Sequence, residues 1–241
     1  MYGVSTHCLL DKPLESALPL LADITSIVEV MDDGLHYLDS PEILESFSFT
    51  YYMHAPSRGV NIASHLEPIR KASVEVISHC IAIASEVSAR GVVVHPGYFG
   101  WISERDVGIF QLEKSLIELK KISEDCSTPF FVENMPKWDY FFLQTPEDLP
   151  LISDIPFALD VGHANMNGCL DEFLKADVSH FHIHDNCGLS DSHLAIGDGN
   201  INFAQVYDKI SKSKGCPVIE VGTYDGVIRT IRALKRQKIK L

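Results

Sequence analysis

The sequence predicts a closed (β/α)8 barrel on three observations. Short β-like runs alternate with longer amphipathic segments about eight times along the chain. Nearly every run ends in His, Asp or Glu, at the end where a barrel of this kind carries its chemistry. The first run, GVSTHCLL, is followed by no Gly-rich phosphate turn, which the competing architecture, a doubly wound open sheet, would normally show.

In chain order, GVSTH (3–7) precedes PLESALPLLADI, SIVEVM (26–31) precedes a weak helical pattern at 41–47, and FTYYMHA (49–55) precedes the long segment 65–90. Ser64 and Glu67 predict a capping box at the start of that segment, and Gly91 predicts its stop. GVVVHPG (91–97) precedes 104–124, PFFVENM (129–135) precedes TPEDLPLI, and PFALDVG (156–162) precedes CLDEFLK. VSHFHIHD (178–185) precedes INFAQVYDKISKS, and PVIEVG (217–222) precedes a basic amphipathic last helix with Ile228, Ile231 and Leu234 at helical spacing.

A length of 241 residues, 46% of them hydrophobic, suits one barrel domain spanning 1–241, and no linker, low-complexity tract or short repeat argues for a boundary. GVSTH begins so near Met1 that no signal segment is expected, and no apolar run has the length of a membrane span. A cytoplasmic protein with no membrane association and no obligate protein partner is the expectation. The six cysteines form no CxxC pair and read as reduced packing residues. A net charge of −13 excludes broad, nonspecific adhesion to nucleic acid or acidic membrane.

The run VSHFHIHDN places His180, His182 and His184 at alternate positions, on one face of a strand. A buried barrel strand has no use for three imidazoles unless polar groups face them. The other strand ends supply those groups: His7, Glu29, His54, His95, Glu133, Asp160 and Glu220. The following loops add His163 in DVGHAN, and Asp191 and His193 in DSHLAIGDGN. Imidazole and carboxylate without thiolate suit Zn2+, Mn2+ or Fe2+ at an open catalytic site. Residue types alone do not separate His182 from His184, since both point inward; His180, deeper in the barrel, reads as a supporting or core histidine.

HAP (54–56), HPG (95–97), EN (133–134), DVGH (160–163), HIHD (182–185), DSHLAIGDG (191–199) and IEV (219–221) resemble, in order, the metal motifs of the endonuclease IV family, within the xylose isomerase-like TIM-barrel superfamily. The resemblance implies up to three metal positions, zinc being the expected ion. His54, His95 and Glu133 would hold one; Glu133 would bridge to a second held by Asp160, His182 and Glu220; His163, Asp191 and His193 would hold the third. It also selects His182 over His184. The activity implied is phosphoester hydrolysis, with abasic-site DNA among the substrates, through in-line attack by a metal-activated water that Glu133 and Glu220 help to orient.

The superfamily resemblance equally supports a sugar or sugar phosphate isomerase or epimerase, which needs only Glu133, Asp160, His182 and Glu220 around one metal. Three carboxylates around one dication leave about −1, suited to a neutral sugar, whereas four with three dications leave about +2, suited to a phosphodiester. The surplus ligands favour hydrolysis. An inert binding barrel, the third class, has no need of a bridging carboxylate. The stretch HAPSRGVNIAS supplies no aromatic or apolar wedge for a duplex, so a smaller phosphoester or a sugar stays open as substrate. Arg58, Arg105 and Lys137 are the candidate phosphate contacts.

Overall fold

The computed structural model describes residues 2–236. Eight parallel strands close into a barrel in chain order, the first pairing with the last. They are β1 (Gly3–Ser5), β2 (Ile27–Met31), β3 (Thr50–His54), β4 (Val92–Val94), β5 (Phe130–Glu133), β6 (Phe157–Asp160), β7 (His180–Ile183) and β8 (Cys216–Ile219). Each β-like run of the sequence supplies one strand. The helices are α1 (Leu14–Ala22), α2 (Glu42–Glu45), α3 (Glu67–Glu86), α4 (Arg105–Cys126), α5 (Val161–Met166), α6 (Leu170–Phe173), α7 (Phe203–Lys212) and α8 (Tyr224–Arg236). Among the described residues no helix is long and apolar enough to cross a membrane.

Strand residues such as Val4, Val28, Val92, Val94, Leu159 and Ile183 are fully buried against the helical layer. Each such side chain stabilises the fold by about 1.5–3 kcal/mol. Inside the barrel a smaller cluster of Val93, Phe131 and Ala158, with Tyr52 packed on it, forms a floor. His180 lies on that floor, its ring stacked on Phe131 at a centroid distance of 5.4 Å. Above this level the inward side chains turn polar.

Several local expectations are corrected. The capping box does not form: Leu66 occupies the N-cap of α3 without a side-chain bond, and Ser64 Oγ accepts from Leu66 N at 3.3 Å. Glu67 turns instead to Arg70 at 2.9 Å and to Lys114 of α4 at 2.6 Å. Charge-assisted bonds to two cations outweigh one back-bond to an amide. Gly91 does not stop α3, which ends at Glu86 and is followed by Ser88 in the left-handed region at φ 53°. Gly91 is instead required because the Phe131 ring occupies the space its Cβ would take.

Residues Pro146–Ile152 form a 3-10 helix rather than an α-helix. Pro150 has no N–H to give to an α-helical ladder. Of CLDEFLK only Leu170–Phe173 is helical, and α5 precedes it inside the DVGHAN segment that reads as a loop. The last helix starts earlier than its basic run, and Val227, Ile231 and Leu234 make its buried face while Ile228 is half-buried. The rest of the basic run, 237–241, lies outside the described residues.

Candidate metal centre

Barrel closure brings the candidate residues to one mouth. His54, Glu133 and Asp160 end their strands, His95 and Glu220 follow theirs by one residue, and His182 lies within β7. Asp160 is also the N-cap of α5, and its Oδ1 accepts from His163 N at 2.6 Å, which sets His163 beside it. Asp191 and His193 come from the loop after β7, tied back by the antiparallel bridge between Asp185 and Leu194. The mouth holds a cavity of about 150 Å³ whose lining includes His7, Arg58, His95, Asp191, His193 and Glu220.

Three sets of donors converge there, His184 joining the third, while Glu29, His180 and His182 form a further group. Glu133 Oε2 faces His95 Nε2 at 3.0 Å and His54 Nε2 at 3.4 Å. Its other oxygen, Oε1, faces His182 Nδ1 at 2.7 Å, and that nitrogen is 3.3 Å from Glu220 Oε2 and 3.9 Å from Asp160 Oδ2. Glu133 thus presents one oxygen to each of two donor sets. In the third, His163 Nε2 and His193 Nε2 both stand 3.2 Å from Asp191 Oδ2. Each of these groups is compact enough to hold a metal ion.

The proton positions test whether a cation fits. His54 Nδ1–H donates to Ala55 O at 2.9 Å, His163 Nδ1–H to Asn134 O at 2.8 Å, and His193 Nδ1–H to Glu220 O at 2.7 Å. In a neutral ring the remaining nitrogen, Nε2, then carries only a lone pair. All three Nε2 atoms are nevertheless aimed at carboxylate oxygens. Lone pair facing lone pair is repulsive unless a proton or a metal ion lies between. Glu220 Oε1 is also buried without a partner. The donor set therefore fits Zn2+ or another borderline divalent ion, with ring orientations fixed from behind as metal-ligating histidines usually are.

Without metal, protons take that place. Burial by itself would lower the imidazole pKa values, but the hydrogen bond and charge of Glu133 raise His54 to about 9. Asp160 and Asp191 raise His163 to about 10 against the same burial penalty, and Asp191 with Glu220 raises His193 to about 9. Burial would raise the carboxyls of Glu133 and Asp191, yet the facing histidines hold both well below the usual range. His7 differs: burial pushes it down to about 4, so it is a neutral imidazole on the cavity wall.

Four features were not assigned from the sequence. His184 enters the site beside His182, its Nε2 3.1 Å from both Asp160 oxygens and its ring stacked on His193 at 4.0 Å. Glu29 is not at a strand end but in mid-β2, fully buried beneath the mouth, 2.8 Å from His180 Nε2 and 2.7 Å from His182 Nε2. A single carboxylate in the apolar run IVEVM was the signal for it. Asn134 locks Asp160 in place, donating to its carbonyl at 3.0 Å and accepting from its amide at 2.8 Å. Asp33 accepts from both the amide and the hydroxyl of Ser57, at 2.9 and 2.8 Å, beside Arg58. Of the phosphate-contact candidates only Arg58 lines the cavity; Arg105 pairs with Asp148 at 3.1 Å.

Known proteins are similar to this chain to different depths. An uncharacterized protein of Methanocaldococcus jannaschii is 34% identical over 228 residues, covering 91% of each chain. A "Probable endonuclease 4" of Mycobacterium leprae is 26% identical over 195 residues, 74% of this chain and 75% of that one. A solved structure described as a D-tagatose 3-epimerase-like protein superposes with a TM-score of 0.90 at 31% identity, covering 98% of this chain and 96% of the other. The family model described as xylose isomerase-like TIM barrel matches residues 37–237, and the chain belongs to that family.

Proposed function

We propose that the chain is a metal-dependent phosphoester hydrolase with a multinuclear centre at the barrel mouth. The observation that carries this reading is the third donor set: His163 and His193 both aim Nε2 at Asp191 Oδ2, at 3.2 Å. An isomerase working on Glu133, Asp160, His182 and Glu220 has no use for it. In the proposed assignment His54, His95 and Glu133 hold one ion, Glu133, Asp160, His182 and Glu220 a second, and His163, Asp191 and His193 a third. Bound zinc would supply an acidified water and positive charge against the phosphoryl oxygens.

The protein's own part is positioning and proton handling. Arg58 gives the cavity lining a cation for an anionic substrate, next to Ser57, which is tied to Asp33. Glu220 Oε1, buried and unpartnered, is placed to accept the proton released by the attacking water. His7, neutral and half-buried beside His193 at a ring distance of 4.4 Å, covers that side of the cavity without adding charge. The narrow cavity and the absence of a wedge after His54 favour a small phosphoester, or the extruded sugar phosphate of an abasic site, over an intact duplex.

The second reading is a sugar epimerase or isomerase, favoured by the completeness of the Glu133, Asp160, His182 and Glu220 set and by the epimerase-like structure at 31% identity. Two variants separate them. His193→Ala removes a donor used only by the third position, and Glu220→Ala one used by both readings. Hydrolysis predicts that each lowers phosphoester cleavage by at least about 100-fold, on the scale of several kcal/mol of lost transition-state stabilisation. Assays on abasic-site DNA, small phosphoesters and a panel of ketoses check this. A His193→Ala protein that keeps full activity on a ketose would contradict the hydrolase reading.

A further inference from the structure

Three of the site's histidines are held from behind by backbone carbonyls, but His182 is not. Its Nδ1 faces Glu133, Glu220 and Asp160, and its Nε2 points down into the barrel, where Glu29 Oε1 lies 2.7 Å away. The approach is off the straight N–H···O line, and neither atom has another partner, so each is available only to the other. The second oxygen of Glu29 accepts from His180 Nε2 at 2.8 Å. His180 Nδ1 has no partner, which puts the ring's proton on Nε2, toward Glu29. Stacking on Phe131 and contact with Tyr52 fix the His180 ring in turn.

We infer that Glu29 is a positioning residue which, braced by His180, keeps the proton of His182 on Nε2 and so presents Nδ1 to the Glu133, Asp160 and Glu220 carboxylates as a ligand. Full burial of a carboxylate is costly, and a leucine or glutamine would fill the space in β2 without that cost. A negatively charged acceptor behind an imidazole makes it a stronger donor than a carbonyl does. The same charge alters the balance of the centre: with Glu29 counted, four carboxylates surround the second position and the filled trinuclear site falls from about +2 to about +1. The inference rests on reading Glu133, Asp160, His182 and Glu220 as a metal position, which both functional readings share.

The test uses the whole chain and zinc. In zinc-loaded wild-type protein, long-range 1H–15N spectra should show His182 protonated on Nε2, with that proton protected from exchange. Glu29→Gln should weaken zinc binding at this position about 10–100-fold in chelator competition, and should hasten exchange of the His182 proton. A folded Glu29→Gln protein with wild-type affinity and exchange would overturn the inference while leaving the metal reading intact, whereas His182 protonated on Nδ1 would overturn the inference and remove His182 from the second metal position. Failure of the wild type to take up zinc would overturn both. The wild-type spectrum decides the matter even if the variant does not fold.

Discussion

Gly162 is required by its neighbour rather than by its own backbone: a Cβ there would fall on the imidazole of His184. Gly162→Ala should therefore push His184 off Asp160 and destabilise the fold by about 1–3 kcal/mol, the usual cost of overpacking. Chemical denaturation measures it, and an unchanged midpoint would contradict the packing described. At this scale the sequence was legible wherever a side chain's identity fixes its chemistry, as for Asp191 and His193. It was silent on which nitrogen or oxygen faces which partner. His184 and His182 share a parity, and only the three-dimensional path of α5 shows that one bonds Asp160 while the other meets Glu133 and Glu220.

Helix starts and stops were the least legible elements, because long-range charge pairs decided them. Arg70 is fully buried between α3 and α4, bonded to Glu67 at 2.9 Å, Glu118 at 3.0 Å and Ser115 at 2.9 Å. No window around Ser64 and Glu67 contains Lys114, Ser115 or Glu118, so local pattern alone favours a capping box. Arg70→Ala should cost about 2 kcal/mol, below the 3–5 of a fully buried pair because both glutamates can rehydrate. Ser64→Ala should cost only a few tenths, where a true cap would cost about 1 kcal/mol. Equilibrium unfolding of the two variants checks the order, and a larger loss for Ser64→Ala would reinstate the capping box. The strands were legible throughout, since a period of two with an apolar face survives any partner.

For the whole molecule, barrel closure turns a scattered list of residues into a site: β3, which carries His54, meets β8, which precedes Glu220, only across a closed mouth. The order of motifs exposed this, because each polar residue sits at the same end of its strand. Glu29 was misplaced at the mouth because it was counted with the strand-end residues although β2 runs two residues past it, to Met31. The charges of the mouth also tie stability to pH. His54, His163 and His193 have pKa values raised to about 9, 10 and 9 in the folded, metal-free protein, above the roughly 6.5 of an unfolded chain. Their stabilisation is present in full below about pH 6.5 and is lost as pH rises through 9 to 10. The melting temperature of chelator-treated protein should fall across that window, and zinc should tighten as the competing protons leave. A flat profile would contradict the proton arrangement.

Three donor sets at one mouth, each proposed to hold a metal ion, fix the number of ions a chain should bind. Zinc-loaded wild-type protein, freed of loose metal and measured by plasma mass spectrometry, should retain about three ions per chain, and His193→Ala about two. One ion per chain, unchanged by His193→Ala, would contradict the trinuclear centre and leave the epimerase reading in its place.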